Sequence, residues 1–291
     1  ANFRITSLEE AKRLISVDGT VKWLYQTHDG HHIETVLIPT NDRFSVCVST
    51  QIGCAQNCAF CRTAKMGFIR NLEAGEILEE IIRVNWYLEE TGTKHSDGSL
   101  AKVTNIIFMG MGEPLNNLEQ VHRVCCTLHH QKLFNLGRKR MTISTSGVVP
   151  KIKELVDRNT PCCLAVSLNS TNDERRSAVM PVNKVWNIAK LLEATDEYTK
   201  RTGNYVTFEF VLMKGITCSE EAAKELIRIC APRRCKVNAI VLNDGDDPTL
   251  EAPSLEEIDH FLENVRKAEV QGEGTVRGNY GCRCEGYHPA R

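Results

Sequence analysis

No run of apolar residues in this 291-residue chain reaches the ~18 that would cross a bilayer. The N-terminal stretch lacks the basic, apolar and small-residue succession of a secretory signal. These absences argue against a membrane-spanning or secreted chain, and the expectation is a cytoplasmic protein with no membrane partner. Charge of one sign is missing too: 36 Lys and Arg offset 37 Asp and Glu, for a net charge of −1. Any contact with nucleic acid must therefore be local rather than a property of the whole surface. Two short basic clusters could supply it, Arg138-Lys139-Arg140 and Arg233-Arg234-Cys235-Lys236. There is no internal repeat and no low-complexity segment.

What the chain has in excess is cysteine, 13 residues. Without a secretory signal, such a count points to metal or redox chemistry rather than to a disulfide framework. Cys125-Cys126 and Cys162-Cys163 lie in apolar runs and read as small buried hydrophobes. Cys54, Cys58 and Cys61 are different. They stand in the string GCAQNCAFC with no fourth cysteine nearby. A [4Fe–4S] cluster bound through all its irons needs four thiolates. A C-x3-C-x2-C triplet can hold three irons and leave one open to an exogenous ligand. The competing readings are a zinc site, which usually takes four N/S ligands, and three unrelated cysteines.

The rest of the chain alternates between strand-like and helical patterns. Ser7-Leu8-Glu9-Glu10 reads as a capping box opening a short helix. The apolar runs around His28-Asp29-Gly30 read as a hairpin. Six runs rich in Val, Ile, Phe and Thr follow, at 43–50, 103–111, 140–147, 162–169, 205–213 and 236–243. Helical patterns lie at 71–90, 117–131, 149–157, 184–200, 219–231 and 254–268, the first with Ile77, Leu78, Ile81, Ile82 and Trp86 on one stripe. Repeated β–α units predict an α/β fold with a parallel sheet. In such folds the site lies at the C-terminal ends of the strands. Candidate residues do stand there: Ser49 and Thr50, Gly110 to Pro114, Ser144, Ser167, Asn169 and Asn243. Gly112 lets backbone approach a ligand and Glu113 can take up an ammonium. The hydroxyls of Ser144 and Ser167 can bind a ribose or carboxylate, or simply cap helices. Asn243 can read an adenine or ribose edge, or serve as a turn residue.

The cysteine triplet and MGMGEPLNN resemble the signatures of radical S-adenosylmethionine (SAM) enzymes. With CVSTQIGCAQNCAFCRTAKMGFIRNL, MTISTSGVVPKI, LAVSLNSTNDERR, MPVNKVWNI and VTFEFVLMKGI, the chain resembles the adenine-C2 methyltransferases of 23S rRNA and tRNA and the related C8 methyltransferase of chloramphenicol–florfenicol resistance. The resemblance implies a partial (β/α)6 barrel over 41–275, after a helix and hairpin extension at 1–40 and before a cysteine-containing tail at 276–291. It implies a [4Fe–4S] cluster on Cys54, Cys58 and Cys61, and SAM contacts from Gly112, Glu113, Ser144, Ser167, Asn169 and Asn243. It implies Glu34 as a base, Cys47 as the thiol that resolves a covalent protein–RNA adduct, and a tail cysteine that carries a methyl group, Cys284 or, failing that, Cys282. RNA is the implied substrate, and a reductant such as flavodoxin or ferredoxin the implied electron donor. Carbons 2 and 8 of adenine are poor nucleophiles, whereas a thiolate readily accepts a methyl cation from SAM.

The chain departs from that pattern in three places. Too few residues precede Glu34 for the family's N-terminal helical RNA domain. Asn169 replaces a histidine in the triplet SLN, so that position cannot titrate near neutrality. The tail reads TVRGNYGCRCEGYHPAR, with two cysteines instead of one. These departures keep a second reading open, a radical SAM enzyme transferring methyl, sulfur or hydrogen on a small nucleoside-like metabolite or a peptide. A third is a non-catalytic iron–sulfur or zinc module.

Overall fold

The computed structural model describes residues 6–243 and 249–270. It divides into two compact units, the first made of residues up to 55, 65–144 and 157–163, the second of 56–64, 145–156 and the described residues from 164 on.

The first unit opens with four antiparallel strands, β1 (Glu9–Ile15), β2 (Val21–Gln26), β3 (His32–Thr40) and β4 (Arg43–Cys47). The expected hairpin at His28–Gly30 joins β2 to β3. A short pair, β5 (Gln51–Gly53) and β6 (Phe68–Asn71), follows, with the single helical turn α1 (Arg62–Lys65) between them in sequence. Helix α2 (Ala74–Glu90) leads to β7 (Asn105–Phe108), and α3 (Leu118–His129) to β8 (Met141–Thr145). β4, β7 and β8 are mutually parallel neighbours.

The second unit holds α4 (Val149–Asp157), β9 (Cys163–Ser167), α5 (Asp173–Val179), α6 (Ile188–Thr202), β10 (Val206–Leu212), α7 (Glu220–Cys230), β11 (Cys235–Val241) and α8 (Leu255–Val270). β9, β10 and β11 run parallel. All six strand-like runs of the sequence thus form strands in β–α succession. The local chemistry explains the helices: Asn172, Asn187 and Ser219 cap α5, α6 and α7 by accepting backbone N–H bonds, and Gly203 at φ 71° ends α6.

Three readings need correction. Ser7-Leu8-Glu9-Glu10 does not open a helix; residues from Glu9 form β1, paired with β2. The carboxylate that receives Ser7 is not Glu10 but Glu79 of α2, which accepts from the Ser7 N–H at 2.6 Å and Oγ at 2.8 Å. Trp86 is not on the buried stripe of α2. Ile77, Ile81, Val84 and Leu88 form it, and Trp86 is exposed with the Arg83 guanidinium 5.8 Å from its ring. Cys125 and Cys162 are buried as expected, burial pushing both thiols well up, but Cys126 is exposed. A further helix, α5, was not anticipated.

Helix α2 also buries three carboxylates, Glu76, Glu79 and Glu80. Arg70 bridges Glu76 to Asp29 at 2.7 Å each way, Arg83 pairs with Glu79 at 3.0 Å, and Glu80 reaches β3. The antiparallel extension is thereby fastened to α2 by charge and hydrogen bonds as well as by packing such as Trp23 edge-on to Tyr87 at 5.2 Å.

Candidate active site

Alternation along the strands sorts the first unit's candidates onto one sheet face. Val21, Trp23 and Tyr25 of β2, Thr35 of β3, and Phe44 and Val46 of β4 are buried on the α2 side. The opposite face carries Lys22, Glu34, Val36 and Cys47. Val36 is the register partner of both Lys22 and Cys47, and Cys47 in turn of Ile107. Thr142 pairs with Ile107, and Ser144 follows two residues on along β8 on that same face. The structure therefore brings Glu34, Cys47 and Ser144 to one face within one unit.

The segment after β4 is zipped to the loop after β7. Ser49 is fully buried; its Oγ–H donates to the Glu34 carbonyl at 2.7 Å and accepts from the Met111 N–H at 3.0 Å. Its own N–H donates to Glu80 Oε2 at 3.1 Å, as does Thr35 Oγ1 at 2.5 Å. Burial raises the Glu80 carboxyl well above the ordinary carboxylate range, and its Oε1 has no hydrogen-bond partner. Gln51 accepts from the Glu113 N–H at 2.7 Å and donates to Asn71 at 2.7 Å, while Asn117 donates to the carbonyls of Thr50 and Leu72. The glycines here are steric necessities. A Cβ on Gly110 would lie 2.7 Å from Val48 backbone. Gly112 sits at φ +101°, where a Cβ would stand 2.5 Å from Gln51 Cβ. Glu113 is buried, and its Oε1 accepts from the Leu115 N–H at the start of a short 3-10 turn.

In the second unit, Ser167, Glu209 and Asn238 form one cross-strand row over β9, β10 and β11. Asn238 Nδ2 donates to Glu209 Oε2 at 2.6 Å, and Asn238 Oδ1 is buried without a partner. Burial pushes the Glu209 carboxyl up to about 7, against the pull of Asn238. Arg176, fully buried and pushed down to about 10 by burial, donates to the carbonyls of Ser146, Ser167 and Leu168 and to Asn183 Oδ1. It fixes the end of β9 behind Ser167. Asn169 is buried at φ +51°, its Nδ2 directed at Met180 sulfur at 3.4 Å and its Oδ1 accepting from the Val211 N–H at 2.9 Å. An asparagine tolerates that left-handed backbone. Asn243 is exposed just past β11.

Cys54 lies in the first unit, buried, its N–H donating to Gly67 O at 3.0 Å. Cys58 and Cys61 lie in the second, half-buried, with the Cys61 N–H on Cys58 O at 3.1 Å. None of the three is in a disulfide. Among the described residues no group of three or more His, Cys, Asp or Glu side chains is arranged to hold a metal ion. What fits an iron–sulfur cluster is the donor chemistry, three reduced thiols within one short segment. Cys282 and Cys284 lie outside the described residues. Among the described residues no helix is long and apolar enough to cross a membrane. Sequence reasoning did not find Lys22, Glu80, Arg176, Glu209 or Asn238, and it named Ser49 only as a strand-end candidate. Their partners lie on other strands, turns or loops, so no strand or helix periodicity marks them.

The Radical SAM superfamily matches residues 48–227. The chain is 41% identical over 277 residues to the dual-specificity RNA methyltransferase RlmN of Anaeromyxobacter sp., covering 95% of this chain and 72% of that protein. It is 37% identical over 278 residues to a probable dual-specificity RNA methyltransferase RlmN of Alkaliphilus oremlandii, covering 95% of this chain and 77% of that one. Among solved structures it resembles a radical SAM methyltransferase from Sphaerobacter thermophilus, with a TM-score of 0.86 at 40% identity over 95% of this chain and 78% of that one.

Proposed function

Because this chain belongs to the radical SAM superfamily and, within it, to the family of the dual-specificity RNA methyltransferases RlmN, we propose that it methylates a carbon of an adenine base in RNA, using Glu34, Cys47 and a tail cysteine. The enzyme is a methyltransferase that uses a [4Fe–4S] cluster and SAM. Cys54, Cys58 and Cys61 are the residues to hold the cluster. When bound, it supplies the electron that cleaves SAM to a 5′-deoxyadenosyl radical. A small electron-transfer protein of the flavodoxin or ferredoxin kind is the proposed source of that electron. Gly112, Glu113, Ser144, Ser167 and Asn243 are the proposed SAM contacts. Asn169, whose amide is already engaged with Met180 and Val211, contributes to that site through the backbone it holds.

The observation that carries the assignment of roles is the shared face of Glu34 and Cys47, on adjacent strands and tied through Ser49 to the loop of Gly112 and Glu113. A thiol and a carboxylate on one face of adjacent strands suit a step in which a carbon–sulfur bond is broken and a proton is moved. In the proposed sequence the Cys284 thiolate first accepts a methyl group from SAM. That methyl then gives a hydrogen atom to the 5′-deoxyadenosyl radical made from a second SAM, releasing 5′-deoxyadenosine, and its carbon bonds to the base, whose odd electron would return to the cluster. Glu34 takes up the proton that the base carbon loses. The Cys47 thiolate attacks the Cys284 sulfur, forming a disulfide as the carbon–sulfur bond breaks, and the released carbon takes a proton to become the product methyl. Two electrons from an external thiol or flavodoxin-type reductant restore the two thiols before the next turnover. Cys282 is the runner-up for the methyl carrier.

The test uses the reconstituted enzyme with unmodified RNA and methyl-labelled SAM. Cys47→Ala should accumulate a covalent protein–RNA adduct, and Cys284→Ala should lose methylated product while still cleaving SAM. Full methylation by Cys47→Ala with no adduct would overturn the role of Cys47. Full methylation by Cys284→Ala would move the carrier to Cys282.

A further inference from the structure

We propose that Lys22 is the positioning residue for Glu34, its ammonium holding the carboxylate in the direction from which it serves the reaction; the inference rests on the reading of Glu34 as the base. A base acts only if its carboxylate points at the proton it takes, and bases in enzyme sites are commonly oriented by a further group. Glu34 is held at both ends. Ser49 Oγ–H fixes its backbone carbonyl at 2.7 Å. Lys22 Nζ fixes its carboxylate through Oε1 at 2.7 Å.

The register makes this contact a product of the fold. Glu34 is the partner of Leu24 on β2, and Lys22 the partner of Val36, so the pair meets on the diagonal, where long side chains reach one another. Val36 is also the partner of Cys47. Lys22, Val36 and Cys47 therefore form one row across β2, β3 and β4, with Lys22 and Cys47 roughly 10 Å apart at the backbone. The cation, the carboxylate and the thiol occupy one face, beside a strand whose other side is anchored by Thr35 on Glu80.

Stability is a poor reason for this pair. The Lys22 and Glu34 side chains are 26% and 36% exposed, and ion pairs so open to water contribute about 0–1 kcal/mol. What the contact supplies is direction for the carboxylate, on a strand already anchored from its other face.

The experiment compares Lys22→Met, Lys22→Arg and Glu34→Gln in the reconstituted enzyme, using unmodified RNA and methyl-labelled SAM under turnover. Lys22→Met should lower kcat for methylation about tenfold or more, the cost of a misdirected catalytic group, with KM for RNA unchanged. It should prolong the covalent protein–RNA adduct, as Glu34→Gln should. Lys22→Arg, which keeps a cation on a stem of similar length, should recover most of the rate. Thermal unfolding midpoints of all three should stay near the wild type, since the pair is open to water. Wild-type kcat in Lys22→Met beside an inactive Glu34→Gln would overturn the proposal while leaving Glu34 as the base. A rise in KM for RNA with kcat unchanged would overturn it in favour of a phosphate contact. Wild-type methylation by Glu34→Gln would overturn the underlying reading instead.

Discussion

Replacing Glu209 with glutamine should remove a pH dependence of stability that the wild type carries. The Glu209 residue is 6% exposed, and burial pushes its carboxyl from 4.5 to about 7, although Asn238 Nδ2 at 2.6 Å favours the ionised form. Below pH 4.5 the folded and unfolded chains both hold the proton, and the group costs nothing. As the pH rises from there to about 7, the unfolded chain releases its proton while the folded chain keeps it. Folding then loses about 1.4 kcal/mol per pH unit, roughly 3 kcal/mol by pH 8. Glutamine keeps the shape and offers an oxygen to Asn238 Nδ2, but has no proton to lose. Urea unfolding of the anaerobic protein, wild type against Glu209→Gln, should therefore give similar midpoints near pH 5. Near pH 8 the variant's midpoint should be higher by about 1 M, taking an m-value of about 3 kcal/mol/M. Glu80, raised by burial in the same direction, is common to both proteins and cancels in the comparison. An equal fall in midpoint with pH for the variant and the wild type would refute the argument.

Cys58→Ala should hold less iron after anaerobic reconstitution and produce no 5′-deoxyadenosine from SAM. Iron analysis and product chromatography check this, and iron-independent activity in zinc-loaded protein would sink the cluster assignment. Gly112→Ala should be costly, because its φ of +101° disfavours any Cβ and Gln51 stands 2.5 Å from where that Cβ would lie. Backbone strain of about 1 kcal/mol and overpacking of about 1–3 kcal/mol add to a loss of roughly 2–4 kcal/mol. The thermal midpoint should drop, and SAM binding by equilibrium dialysis should weaken with it; a wild-type midpoint and affinity would contradict the packing argument.

β4 and β7 to β11 were legible because each carries its own apolar run, and the hairpin because Asp29-Gly30 marks its turn; β5 and β6, only a few residues each, carry no such run. The first helix was misread because Ser7-Leu8-Glu9-Glu10 satisfies a local rule while the carboxylate that takes Ser7 comes from Glu79. Edge-strand pairing of β1 with β2 prevailed over local capping preference. Trp86 was assigned to the buried stripe because it is apolar at helical spacing, yet α2 gives inward positions to Glu76, Glu79 and Glu80, which Arg70 of β6, the Leu8 N–H and the Ser49 N–H satisfy from the other side. Periodicity counts apolar residues and so cannot see a buried carboxylate with a distant partner. The same reason hides Arg176, whose carbonyl partners come from two loops and a strand end. Glu34 and Cys47 were named through resemblance alone. The structure adds that they share a face, and that a lysine invisible to motif reading stands between β2 and the candidate base.

That lysine bears on how RNA is to be held. Of the two basic clusters singled out from the sequence, the first precedes β8 and the second runs into the start of β11. Arg138–Arg140 form a turn entering β8, where Arg138 donates to Asn159 and Arg140 to Asn105. Arg233 pairs with Asp196 at 3.1 Å, and Lys236 stacks its ammonium 3.9 Å from the Tyr205 ring at the start of β11. Arg140 and the candidate Ser144 are at opposite ends of β8, roughly 13 Å apart at strand rise. Phosphates bound at Arg138–Arg140 would thus lie well away from the candidate Ser144, and such contacts position a nucleic acid without touching its chemistry. Lys22 is placed the other way round. It pairs with Glu34, on the face that carries Cys47, so on the proposed reading its charge acts on the candidate base rather than on the backbone of the substrate.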